Sequence, residues 1–293
     1  MLSGIGFPLF SHWFWSADRL SLAEFLPRAF MFDPGGAASI HVLGGLTALC
    51  IGWIVGPRRK KYPVDGPPAA IPAHNVAYVL IGSLLVTPGW IALNCAGAAL
   101  YGIPASALLI VVLNTQLCSA AALVAALIAT RVRYMKPDAS LCANGWVAGL
   151  VASSAVCCVV SPWSAIFTGF AVGGIVTLCT EWLEVFARVD DPGGVICVHG
   201  VGGIIGLIFA GLFVHIGSNG ISEGTWSFWR DLLPQIAAIS SLLGVGLPLM
   251  YGLNRLLDCF DGQRVDPANE GKGMDLHELG GIAYPEFSLQ PDD

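Results

Sequence analysis

Two histidines in this chain occupy the same place in two copies of one pattern, and each copy lies in a long apolar stretch. The pattern is Asp-Pro-Gly-Gly, four residues, His, two residues, Gly-Gly. The first copy runs from Asp33-Pro34-Gly35-Gly36 through His41 to Gly44-Gly45, the second from Asp191-Pro192-Gly193-Gly194 through His199 to Gly202-Gly203. An ionisable group in apolar surroundings is costly and usually functional. Neutral imidazoles both donate and accept hydrogen bonds. A facing pair can therefore hold a small polar molecule, relay a proton, or ligate a metal or haem. Hydrolytic and nucleotide chemistry finds no support, since the chain has no H-E-x-x-H and no Walker-type loop. No enzyme is expected.

The flanking residues read as architecture. Asp followed by Pro starts a helix well, because the carboxylate caps free amide groups and Pro suits the first turn. Asp33 and Asp191 are accordingly expected as helix caps. Gly52–Gly56 and Gly202–Gly206 add small-xxx-small spacing suited to close helix packing.

The elements that carry this pair must be membrane helices. The chain is 55% hydrophobic and 12% charged, against about a quarter charged in a soluble domain. A net charge of −6 leaves no basic footprint for nucleic acid. Of nine cysteines, Cys50, Cys95, Cys118, Cys142, Cys157, Cys158, Cys179 and Cys197 fall in apolar runs, and no C-x-x-C occurs. They read as small apolar packing residues rather than disulfides or metal ligands. No secretory leader is expected at the front.

A helix needs about 20 apolar residues to cross the hydrocarbon core. The chain offers seven such stretches, at 34–56, 75–98, 105–130, 140–160, 162–186, 192–215 and 231–256. Residues 2–15 are shorter and read as the second half of a helix. Arg58-Arg59-Lys60-Lys61, Arg131, Arg133, Lys136, Arg188 and Arg255 follow alternate spans, which marks one cytoplasmic face. The domain reading is 1–256 in the membrane and 257–293 as a short cytoplasmic tail.

On this orientation the helix of His41 runs inward and that of His199 outward. That is an inverted repeat with its site near the midplane. Each His lies eight residues after its Asp. The distance is about 12 Å at about 1.5 Å per residue, close to the half-thickness of about 15 Å. His12, His74, His215 and His277 read as interfacial or solvated. Trp15 has the place of a belt aromatic, whereas Trp90 lies well inside its span and suits an internal position. Glu181 and Glu184 fall in the last turns of a span and are expected to reach the interface.

The stretches "VDDPGGVICVHGVGGIIG" (189–206) and "FDPGGAASIHVLGGLTAL" (32–49) resemble the segments bearing the two pore histidines of the ammonium transporter family, which also includes Rhesus-type proteins. "HWFW" (12–15), "GWIALNCAG" (89–97), "NGWVAGLV" (144–151) and "GMDLHELGGIAYPEF" (273–287) follow in family order. The resemblance implies an all-α polytopic membrane protein with an inverted repeat, a trimer with one narrow hydrophobic pore per subunit, and no cofactor. It implies that His41 and His199 face each other in the pore, with Trp90, Leu93 and Asn94 beside them. Trp15 matches an outer-vestibule Trp that recruits ammonium by cation–π attraction. In the family picture ammonium is captured at the mouth and deprotonated, and ammonia passes the histidines.

The chain also departs from the family pattern. Leu93 stands where many members have a gate Phe, and Gly97 where a Ser often contacts the recruited cation. Asn144 and Ser154 replace other polar residues. The chain begins inside what would be the fourth family helix, so about the first three and a half helices are expected to be missing. A truncated fragment and a genuine short isoform both fit that beginning. Transport of ammonium or ammonia by a homotrimer, or by an assembly with related chains, in the plasma membrane is the leading expectation. A non-conducting ammonium sensor or modulatory subunit is the alternative, and a bis-histidine haem carrier the third.

Overall fold

The computed structural model describes residues 2–16, 31–214, 226–282 and 284, and among these the chain is helical with no strand. Helix α1 is a π turn, Leu2–Gly6, running into an α-helix, Phe7–Trp15. Then follow α2 (Ala37–Val55), α3 (Val76–Leu100), α4 (Ala105–Tyr134), α5 (Ala139–Val156), α6 (Pro162–Val185), α7 (Ile196–Phe213) and α8 (Phe228–Phe260). All seven are long and apolar enough to cross a membrane. Two short helices close the described chain, α9 (Pro267–Lys272) and α10 (Met274–Leu279). The seven expected spans are present, with ends shifted by a few residues. The last runs on to Phe260, because its final turns carry Arg255 and Asp258 as an ion pair that suits water. His215 and most of the loop that follows it lie outside the described residues.

Between lipid-embedded helices there is little hydrophobic drive, so close backbone approach does much of the packing. The middle of α4 shows how. A Cβ on Gly149 of α5 would lie 2.7 Å from the Cys118 carbonyl oxygen, and one on Gly169 of α6 2.0 Å from the same atom. One on Gly173 would lie 2.1 Å from the Ala122 carbonyl oxygen. Gly206 packs in the same way on Ala152 of α5. The Gly52–Gly56 pair does not: Gly56 ends α2 with φ of 75°, and its nearest neighbour is the Arg264 guanidinium. Its place is a helix terminus, not a helix–helix crossing.

Helices α2 and α7 cross as an antiparallel pair. Gly45 meets the backbone of Gly200, while Gly203 meets Val42 and the Ala37 carbonyl, so the numbering runs in opposite directions along the seam. This is the inverted repeat expected from the sequence.

Basic and acidic residues gather at one end of the bundle. Arg58 pairs with Asp190 at 2.8 Å, Lys61 with Glu184, and Arg133 with Glu181 at 2.7 Å. Arg264 donates to the carbonyls of Val55 and Pro57 and pairs with Glu270 at 2.8 Å, while Arg59 donates to Glu270 and Pro267. The segment after α8 is thereby folded against the loop after α2. Burial alone would raise the Asp190 carboxyl, but hydrogen bonds from Arg58 outweigh it and hold the group below its ordinary value.

Candidate functional site

Each Asp-Pro-Gly-Gly forms a tight turn that loads the next helix. Asp33 accepts from the amides of Ala38 and Ser39, at 2.8 and 3.1 Å, and from the Ser39 hydroxyl at 2.8 Å. Asp191 accepts from the amides of Val195 and Ile196 at 2.9 and 2.8 Å. Both carboxylates thus satisfy amides that a helix start leaves open. The fourth motif residue has left-handed φ in both copies, 78° at Gly36 and 67° at Gly194, which a side chain would resist. Beyond each turn the helix opens as a π turn, Ala37–Val42 in one copy and Ile196–Val201 in the other. His41 and His199 both sit within these π turns. Their widening of the helix was not legible in residue spacing, although such segments concentrate at functional sites.

The crossing brings the two rings together. The Nδ1 atoms of His41 and His199 stand 3.3 Å apart, with ring centroids at 5.3 Å. Trp90 of α3 stacks on His41 at 4.8 Å and lies 6.1 Å from His199. His41 is buried and His199 partly exposed. The outer nitrogen of His41, Nε2, faces the Ser154 hydroxyl of α5 at 3.4 Å, and that oxygen accepts from Trp90 Nε1 at 2.9 Å.

Trp90 belongs to a polar seam between α3 and α5. Trp146 Nε1 donates to Thr87 at 3.0 Å, Trp90 to Ser154, and Asn94 Nδ2 to Ser153 and to Thr115 of α4, both at 3.0 Å. Thr87, Trp90 and Asn94 recur at helical spacing on one face of an otherwise apolar span. That recurrence was the available signal for the seam, and Thr87, Ser153 and Thr115 were missed as its members. Asn94 is fully buried there, and its Nδ2 donates to α4 and α5 rather than to either imidazole. Leu93, one residue on, is 37% exposed.

Trp15 is 41% exposed, and its Nε1 donates to the Asp33 carbonyl at 3.0 Å. The ring is thus tied to the turn that caps the His41 helix. Gly97 is buried against the same turn, and a Cβ there would lie 1.6 Å from the Pro34 carbonyl oxygen. In this chain a serine at 97 has no room. His74 packs beside Tyr284, and His277 pairs with Glu278 at 3.0 Å; both lie away from the pair.

Comparison with known proteins fits this geometry. The model of a family described as "Ammonium Transporter Family" matches residues 1–284. The chain is 36% identical to "Ammonium transporter Amt2" of Archaeoglobus fulgidus over 98% of its length and 63% of that protein's. It is 29% identical to "Ammonium transporter 1 member 2" of Arabidopsis thaliana, over 97% of this chain and 59% of that one. The chain therefore spans about three fifths of the length of these curated relatives. Among solved structures, "Sensor Amt Protein" superposes with a TM-score of 0.80 at 29% identity, covering 94% of this chain and 67% of that chain. Candida albicans Mep2 shares the fold with a TM-score of 0.76 at 21% identity, over 96% of this chain and 61% of that one.

Proposed function

The chain belongs to the ammonium transporter family, and from that premise we propose that it moves ammonium or ammonia across a membrane. The path is a narrow apolar passage with His41 and His199 as its working pair. The observation that carries this reading is the 3.3 Å contact between their Nδ1 atoms at the crossing of two inverted helices, with Trp90 stacked alongside. A cation stripped of water in apolar surroundings is strongly disfavoured, whereas neutral ammonia needs only hydrogen-bond partners. Imidazoles supply those partners without adding a fixed charge.

Trp15 serves as the recruiting aromatic, its exposed ring offering a cation–π contact of about 0.5–2 kcal/mol. Leu93 provides an aliphatic wall, and Asn94 braces that wall from behind through Ser153 and Thr115. Asp33 and Asp191 fix the depth of the two histidines through their caps. The transporter works in the plasma membrane as a trimer or with related chains. The basic end around Arg58 and Arg133 faces the cytoplasm with the tail.

A second reading, an ammonium sensor that binds without conducting, is favoured by the likeness to the structure titled "Sensor Amt Protein". Uptake in a host stripped of its own ammonium transporters separates the two. Growth at low ammonium, lost in His41→Ala and His199→Ala, supports transport. Ammonium binding by the purified chain without growth or uptake supports sensing.

A further inference from the structure

We propose that Ser154 is a positioning residue that decides which nitrogen of each pore histidine carries its proton. Its functional weight rests on the pore reading above; its geometry does not. Two neutral imidazoles whose Nδ1 atoms stand 3.3 Å apart share one proton between those atoms. If both carried one, two donors would face each other, and if neither did, two lone pairs would. The tautomers are therefore complementary: whichever ring bears Nδ1–H, the other bears Nε2–H. What selects between the two arrangements must act at an outer nitrogen. His199 Nε2 has no hydrogen-bond partner among the described residues, so the selector acts at His41 Nε2.

The atom facing His41 Nε2 is the Ser154 oxygen, at 3.4 Å in a fully buried setting. That oxygen already accepts Trp90 Nε1–H at 2.9 Å, and its own proton can point to the Leu150 carbonyl at 3.4 Å. With the proton there, the oxygen has a second lone pair free for His41 Nε2–H, and every group at the junction is satisfied. Turning the hydroxyl toward His41 instead leaves the helix carbonyl without it and makes one hydrogen bond fewer. Ser154 accordingly holds His41 as the Nε2–H tautomer. His41 Nδ1 is then bare and accepts from His199 Nδ1–H, and His199 Nε2 is left bare as an acceptor. Since His199 is the partly exposed ring, the passage meets a lone pair, which N–H groups of ammonium or ammonia can use and which alkali cations cannot use by hydrogen bonding.

Nitrogen NMR of histidine-labelled protein in lipid, assigned through sequence neighbours, reads the tautomers directly. The wild type is expected to show Nε2–H on His41 and Nδ1–H on His199, and Ser154→Thr the same. Ser154→Ala deprives a buried N–H of its acceptor and is expected to reverse both rings; should it fail to fold, Ser154→Cys, a poor acceptor, gives the same reversal. Ammonium uptake should fall about tenfold in the alanine variant, the weight of one hydrogen bond, and recover in the threonine variant. Unchanged tautomers in the alanine or cysteine variant, or Nε2–H on His199 in the wild type, overturn the inference whatever uptake shows. Absence of uptake in the wild type, with the reversal present, counts against the transport reading and leaves this one standing.

Discussion

His41 and His199 are separated by 158 positions in sequence, yet their Nδ1 atoms lie within hydrogen-bond reach. What each residue contributes depends on what surrounds it. Gly97 illustrates this: its position suggested a weakened cation site, but the structure packs it on the Pro34 carbonyl. Gly97→Ser is therefore expected to destabilise the protein by about 1–3 kcal/mol, the cost of overpacking, rather than to strengthen ammonium capture. Thermal unfolding in detergent together with ammonium binding decides it: a stable variant with tighter binding would sink the packing account. Asp33→Ala should cost about 1–2 kcal/mol by the same measurement, since it strips a helix start of its capping acceptor. His41 and His199 were legible as residues from their matched offsets. Ser154 was visible only as a departure from the family pattern, because nothing in sequence says which hydroxyl points at which ring.

Among the elements, the antiparallel crossing of α2 and α7 sets the distance between the histidines. Gly45 and Gly200, which face each other there, are not equivalent. A Cβ on Gly45 would lie 2.3 Å from the Gly200 amide nitrogen, whereas one on Gly200 would meet nothing nearer than 3.7 Å. Gly45→Ala is thus expected to push the helices apart, costing about 2–3 kcal/mol and abolishing ammonium-dependent growth. Gly200→Ala should remain within about 1 kcal/mol of the parent. Equal behaviour of the two variants in unfolding and growth assays would contradict the crossing described. The helices themselves were readable from apolar length, and their inversion from the alternation of basic residues. The π turns were not, because a widened turn uses the same residues as an α-helix and differs only in hydrogen-bond register.

For the whole molecule, the charged end ties the segment after α8 to the loop after α2 and, through Arg58 and Asp190, to the start of the second motif. Asp190 has a folded-state value below its ordinary 3.8. Its contribution is therefore fully present above that pH and lost as pH falls through the lowered value. Asp190→Asn should lower the unfolding temperature at neutral pH, and the gap to the parent should close as pH drops below 3.8. A gap that persists in acid would show that the pair does not act through its charge.

Composition, span length, the doubled motif and the alternation of basic residues determined the membrane class, the number of full spans, the inverted repeat and the two histidines. These are properties of local sequence, since solvation of a segment and capping of a helix start depend on residues within a few positions. The 3.3 Å contact of the imidazoles, the Trp90–Ser154–His41 junction and the burial of Gly97 on the first motif were decided only by tertiary structure. Each depends on where helices distant in sequence cross and on which side chains the close-packed interior leaves room for, and spacing along one chain encodes neither directly.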